Sequence, residues 1–215
     1  MTPKLVIFDC DGVVVDSEPL ANAIVRDELA KHGLDLTNAQ VEGLFFGGTM
    51  GGLAEKARAL GADLPPDWVE RSYERLFARL RAGTPLIDGV APVIQTLHAR
   101  SHPFCICSNG RHAKMQITLG QHPDIWALLQ GRLFSVEDVA RPKPAPDLFL
   151  HAAKLHSVAP QDCIVIEDSP TGARAAASAG IRCLGFAPHD DGGRLAEHGA
   201  QVFHRMTDLP RLLAL

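Results

Sequence analysis

At 215 residues the chain has room for one large domain, or for a core domain carrying an insert, and 46% hydrophobic against 21% charged residues is a globular composition. A formal net charge of -4, with no basic run, argues against a nucleic-acid footprint. No apolar stretch approaches the length of a membrane span, which argues against a membrane partner.

Met1 gives way to a strand within three residues, so no signal peptide is expected. The cysteines Cys10, Cys105, Cys107, Cys163 and Cys183 are odd in number and lack zinc-ligand spacing. They read as reduced core residues of a cytoplasmic protein. The first strand, Leu5-Val6-Ile7-Phe8, is apolar throughout and suits burial on both faces. It runs directly into Asp9-Cys10-Asp11-Gly12. Turns do collect Asp and Gly. A carboxylate directly after a core strand, however, is costly unless it is paired or on a metal. The carboxyl ends of parallel strands are also where open α/β folds keep their ligands.

After Val15-Asp16-Ser17-Glu18 the pattern turns helical. Val25 and Leu29 share a face, with Gly33 as a stop, and Leu53, Ala57 and Leu60 form a second stripe before Gly61. Pro65-Pro66-Asp67 opens a third helix with the stripe Val69, Tyr73, Leu76, Phe77 and Leu80. Residues 17–82 thus read as helical, without a strand. Ala82-Gly83-Thr84-Pro85 reads as a junction.

Beyond it strands and helices alternate. A helix over Val90–Leu97 precedes the strand Phe104–Cys107. Helices around Met115 and Leu119, and from Ile125 to Leu129, precede a short strand at Leu133-Phe134. A helix through Leu148, Ala152 and Leu155 leads to the strand Cys163–Ile166. The alanine-rich helix Ala173–Ala179 leads to a final strand, Cys183–Phe186. Such alternation specifies a parallel sheet covered by helices, with the helical segment as an insertion.

Three strands end in polar clusters: Asp9/Asp11, Ser108/Asn109 and Glu167/Asp168. In a parallel sheet these ends share one edge. A fourth element, Arg141-Pro142-Lys143-Pro144, places Lys143 on a proline-stiffened loop. Each has a bland alternative. Ser108-Asn109 fits a turn, Lys143 fits a solvated lysine, and Glu167-Asp168-Ser169 fits a helix cap. The ordered set is harder to explain by folding alone.

With Asp9-x-Asp11-Gly12-Val13 and Asp16-Ser17-Glu18, Ser108-Asn109, Lys143-Pro144-x-Pro146 and Glu167-Asp168-Ser169-Pro170-x-Gly172 in place, the chain resembles a haloacid dehalogenase (HAD) superfamily phosphohydrolase. It is similar to the branch with a helical, type C1 cap, which holds β-phosphoglucomutase-like enzymes and sugar phosphatases. The resemblance covers essentially the whole chain. It implies an α/β fold: a Rossmann-like parallel-sheet core of residues 1–16 and 83–215, with an all-helical cap domain inserted over 17–82.

It further implies a Mg²⁺-dependent phosphatase of a small phosphorylated metabolite, a sugar or polyol phosphate, working through an aspartyl phosphate. By the resemblance Asp9 is the nucleophile and Asp11 the general acid and base. Asp9, the Asp11 carbonyl and Asp168 are implied metal ligands, with Glu167 behind them or reaching the ion through water. Ser108 and the Asn109 amide are implied to bind the phosphoryl oxygens, and Lys143 to supply a fixed charge. Gly48 and Thr49, with Gly47, sit where related caps contribute a substrate loop, though a plain turn is equally open. Arg111 and His112 either reach the substrate or begin a solvated helix. Most of the ten histidines, His151, His156 and His204 among them, lie in no catalytic pattern and are assigned to the surface.

A phosphomutase of the β-phosphoglucomutase type is the rival, and a catalytically silent phospholigand-binding protein a more distant one. Mutases of that type carry a cap histidine shortly after the Asp-Ser-Glu element. Here the position holds Ala21, and His32 lies too far along to replace it. Hydrolysis is therefore expected; separately, a monomeric state is expected.

Overall fold

A computed structural model of the chain describes residues 2–45 and 47–215. Strand β1 (Leu5–Phe8) is buried at every position. Val6 and Phe8 enter one core and Leu5 and Ile7 the other. The two-residue period puts successive side chains on opposite faces, and both faces are covered, so no position tolerates a polar residue.

The chain then forms α1 (Glu18–Ala30), α2 (Asn38–Phe45), α3 (Met50–Ala59) and α4 (Trp68–Arg81). Their apolar faces close on a third core of their own, built around Val25, Leu29, Leu53, Trp68, Leu76 and Leu80. Helix α2 is absent from the sequence reading because its apolar face is short, with Val41 in the core and Leu44 packed against it. Its signal is a reciprocal cap, in which Gln40 N–H donates to Thr37 Oγ1 and Thr37 N–H donates to Gln40 Oε1. The two connections to this helical segment lie side by side. Val15 bridges Leu86 in antiparallel fashion, Asp16 N–H donates to the Pro85 carbonyl at 2.9 Å, and Ile87 N–H to the Val14 carbonyl at 3.0 Å.

Helix α5 (Val90–Ala99) leads to β2 (Phe104–Ser108), α6 (His112–Leu119), α7 (Pro123–Leu129) and β3 (Leu133–Ser135). There follow α8 (Asp147–Leu155), β4 (Cys163–Glu167), α9 (Pro170–Ser178) and β5 (Arg182–Phe186). The expectation that this strand is the last is corrected: after α10 (Gly193–Ala196) comes β6 (Gln201–Phe203), and α11 (Leu209–Leu212) closes the chain. Strand β6 escapes the sequence reading because it has three residues, of which Gln201 is exposed and Val202 half-buried.

The six strands pair with one another in parallel, in the order β3-β2-β1-β4-β5-β6. The winding reverses between β1 and β4, which opens a crevice at the carboxyl ends of those strands. Helices α5, α6 and α7 cover one face of the sheet, and α8, α9 and α10 the other. All five cysteines are free and buried. Among the described residues no helix is long and apolar enough to cross a membrane.

Candidate active site

The polar strand ends do converge. Asp9 follows β1 with its carboxylate largely buried, and the Lys143 ammonium lies 2.5 Å from Asp9 Oδ1. The same ammonium donates to Glu167 Oε1 and to the Cys107 carbonyl, each at 2.8 Å, and stands 4.7 Å from the centre of the Phe149 ring. Burial works against the Lys143 charge, but Asp9 and Glu167 outweigh it and raise its pKa. Burial pushes the Asp9 carboxyl up to about 8, with Glu167 and Asp11 adding to it against the pull of Lys143. One ammonium shared by two carboxylates is not enough positive charge for both.

Asp11, two residues on, is held separately. Ser17 Oγ donates to its Oδ1 at 2.5 Å, Ser108 Oγ to Oδ2 at 3.4 Å, and the Lys114 ammonium lies 2.8 Å from Oδ1. Burial alone would raise this carboxyl, but Lys114 and the hydrogen bonds from Ser17 and Ser108 hold it below its usual value. Neither Lys114 nor Ser17 belongs to the site read from the sequence. Ser17 lay inside the quoted motif. Lys114 is the third residue of α6, and its one signal is that it precedes the buried Met115 and stands a turn from buried Thr118.

Asp168 stands outside both ion pairs and closes on the turn after β1. A Cβ on Gly12, whose φ is +78°, would fall 1.8 Å from Asp168 Oδ2. Only glycine serves there, for the approach and for the backbone. Burial, then Glu18, Glu167 and Asp9, raise the Asp168 carboxyl well above its ordinary value. Burial and Asp11 push Glu18 up to about 7.

Glu167 is fully engaged. Its Oε1 accepts from Lys143, while Oε2 accepts from the Asp168 and Ser169 N–H groups and from Ser169 Oγ. A Cβ on Gly172 would lie 1.6 Å from Oε1, so the first turn of α9 is built around this carboxylate. The helix-cap reading holds as well, since Ser169 Oγ accepts from Gly172 N–H at 3.0 Å.

Five carboxylates (Asp9, Asp11, Glu18, Glu167 and Asp168) thus face two ammonium groups, Lys114 and Lys143. Such an excess suits a hard divalent cation. Among the described residues no three acidic, histidine or cysteine side chains form a ready-made cage. The family resemblance would assign such a cation to Asp9, Asp168 and the main-chain carbonyl of Asp11. Mg²⁺ is commonly bound in this way.

The neighbouring loops are tied together. Asn109 Nδ2 donates to the carbonyls of Gly47 and Lys143, and Asn109 Oδ1 accepts from Lys143 N–H. The Asn109 side chain therefore positions the Lys143 loop and the Gly47 turn, which leaves contact with a phosphate to its main-chain N–H. Ser108 Oγ also accepts from Gly110 N–H, whose carbonyl in turn takes a bond from Ser135 at the end of β3. Gly48 and Thr49 do line the crevice, and Thr49 also caps α3 by accepting from Gly52 N–H.

Arg111 and His112 turn elsewhere. Arg111 makes two hydrogen bonds to Glu70 of α4, at 2.8 and 2.6 Å, and lies over the Tyr73 ring. The His112 imidazole pairs with Asp138. His151 and His156 are half-buried at the surface and pack edge-on against Phe134, and His204 is exposed.

The model of the haloacid dehalogenase-like hydrolase family matches residues 3–180. The 6-phosphogluconate phosphatase of Escherichia coli (strain K12) is 29% identical over 211 residues, which span 97% of this chain and 94% of that one. Hexitol phosphatase A of the same organism is 29% identical over 202 residues, 92% of this chain and 89% of that one. A haloacid dehalogenase-like protein of unknown function from Agrobacterium tumefaciens superposes with a TM-score of 0.82 at 32% identity, over 98% of this chain and 97% of that one. A HAD family hydrolase from Deinococcus radiodurans, solved with bound phosphate and sodium, gives 0.78 at 31% identity, over 99% and 96%. By sequence, by fold and by the convergence of Asp9, Asp11, Lys143 and Asp168 at one crevice, the chain belongs to the haloacid dehalogenase-like hydrolases.

Proposed function

We propose that this hydrolase is a cytoplasmic, monomeric phosphatase of a small sugar or polyol phosphate, acting through a phosphorylated Asp9 with Mg²⁺ as cofactor. One observation carries the reading: at the crevice where the sheet reverses, the Asp9 carboxylate lies against the Lys143 ammonium while Asp11, two residues on, is held by a separate set of donors. The phosphatase relatives support the reaction class. Among the described residues the large apolar side chains left exposed are Leu60, Leu150 and Leu155, little surface for an obligate partner.

Asp9 attacks phosphorus in line with the departing oxygen, which divides hydrolysis into two easier displacements. Lys143 and the Ser108 hydroxyl stabilise charge on the equatorial oxygens. Asp9, Asp168 and the Asp11 carbonyl would hold Mg²⁺, which supplies the neutralising charge as an anionic carboxylate meets an anionic phosphate. Asp11 protonates the departing oxygen, then takes a proton from the water that opens the acyl phosphate. Helices α1, α3 and α4 roof the crevice and restrict water. Ala21 lines the crevice in the position where a mutase of the rival type places its histidine, which supports hydrolysis over isomerisation.

The test is Mg²⁺-dependent release of phosphate from p-nitrophenyl phosphate and from a panel of sugar phosphates. Asp9→Asn should abolish release with an unchanged far-UV spectrum and melting curve. Full turnover by pure Asp9→Asn protein would overturn the mechanism.

A further inference from the structure

Resting on the phosphatase reading, we infer that the preferred ester has an electrically neutral leaving group. The chain then discriminates against small phosphoesters that carry a second anion, whether a distal carboxylate or a second phosphate. The core side of the crevice meets the phosphoryl group. The opposite wall, where the rest of the substrate must lie, comes from the helical segment. It offers the apolar surfaces of Ala21, Met50 and Leu76, the Tyr73 ring, the Asn22 amide and the Glu18 carboxylate. Among the described residues no lysine, arginine or histidine of this segment lines the crevice.

The cations nearby are already engaged. Lys143 serves Asp9 and Glu167, and Lys114 serves Asp11. Arg111 is held by both oxygens of Glu70 and does not line the crevice. A second anion would therefore lose its water without gaining a counter-charge, and it would do so beside Glu18 and Asp11. Neutral hydroxyls meet no such penalty, since an amide both donates to and accepts from them. The substrate named for the 6-phosphogluconate phosphatase relative, which bears a distal carboxylate, is thus not expected to carry over.

A matched pair decides the matter. Sorbitol 6-phosphate and 6-phosphogluconate share their carbon skeleton and phosphate and differ at the distal carbon, which is a neutral alcohol in one and a carboxylate in the other. Fructose 6-phosphate and fructose 1,6-bisphosphate form a second pair, and p-nitrophenyl phosphate reports the basic chemistry. With the wild-type enzyme, kcat/KM should favour the neutral member of each pair by about tenfold or more. Asn22→Lys, which adds a cation to the wall, should narrow the sorbitol 6-phosphate to 6-phosphogluconate ratio by raising the 6-phosphogluconate value. If the aryl phosphate is hydrolysed but the neutral esters show no advantage, including no turnover of either pair, the inference falls and the phosphatase reading stands. If no ester is hydrolysed, the aryl phosphate included, both fall.

Discussion

Lys114 is a buried lysine whose ammonium lies 2.8 Å from the proposed general acid. Its charge holds the Asp11 carboxyl below its usual pKa, which would suit the water-activating half of the proposed reaction and oppose the half in which Asp11 would give up a proton. Lys114→Met should raise the Asp11 pKa. A group that must be protonated loses activity as pH rises through its pKa, so the alkaline limb of kcat/KM should move to higher pH. A pH–rate profile of the variant checks this, and an unmoved limb would remove Asp11 from the acid role. At this scale the legible residues were those beside a punctuation mark. Asp9 and Asp168 follow apolar strands, and Lys143 sits among prolines. Lys114 carries no such mark, because what aims it at Asp11 is the docking of a helix, and docking is a three-dimensional fact. The glycines divide the same way: Gly12 was legible as a turn, but nothing in the sequence says that its missing Cβ makes room for Asp168.

Helix α6 joins the two halves of the site. It carries Lys114 to Asp11, packs Ile117 against the core of the helical segment, and begins just after Arg111, which grips Glu70 on α4. Glu70 is exposed and Arg111 half-buried, so the electrostatic contribution of their pair is modest and screened by salt. Glu70→Ala should raise KM several-fold at most, with kcat little changed, and the difference from wild type should shrink in high salt. Steady-state kinetics at two ionic strengths measures both, and a large fall in kcat would show that the pair does more than hold α4 in place. Elements with a strong period were legible: β1, β2, β4 and β5 from continuous apolar runs, and α4 from its stripe. Helix α2 and strand β6 were not, because both are short and lean on a local cap or on a neighbouring strand more than on an apolar period of their own.

Across the molecule, the carboxylates of the crevice outnumber its cations, and this has a thermodynamic signature. Asp9 is pushed up to about 8 and Glu18 to about 7, both from near 4 in an unfolded chain. A carboxyl whose pKa is higher folded than unfolded binds more protons in the folded state, so stability falls as pH rises across that interval. The metal-free protein should accordingly melt at lower temperature at pH 8 than at pH 5. Mg²⁺ should raise the melting temperature more at pH 8, because it replaces the missing protons. Calorimetry in chelator and in Mg²⁺ tests this, and an increment independent of pH would contradict the charge imbalance. The parallel core was legible at this scale from the alternation of elements. The direction in which each strand joins the sheet was not, since periodicity does not carry strand order.

The pairing of Val15 with Leu86, and of Asp16 N–H with the Pro85 carbonyl, brings the outgoing and returning chains to one doorway. What lies beyond that doorway is the helical segment, with a core of its own. A short turn joining Asp16 to Pro85 would leave every rung of the parallel sheet in place, and a cassette of different build could be spliced at the same two residues. Recognition can therefore diverge by replacement of one module while Asp9, Lys143 and Asp168 stay at the ends of the sheet, provided the new module restores what Ser17 gives Asp11 and what the Gly47 carbonyl gives Asn109.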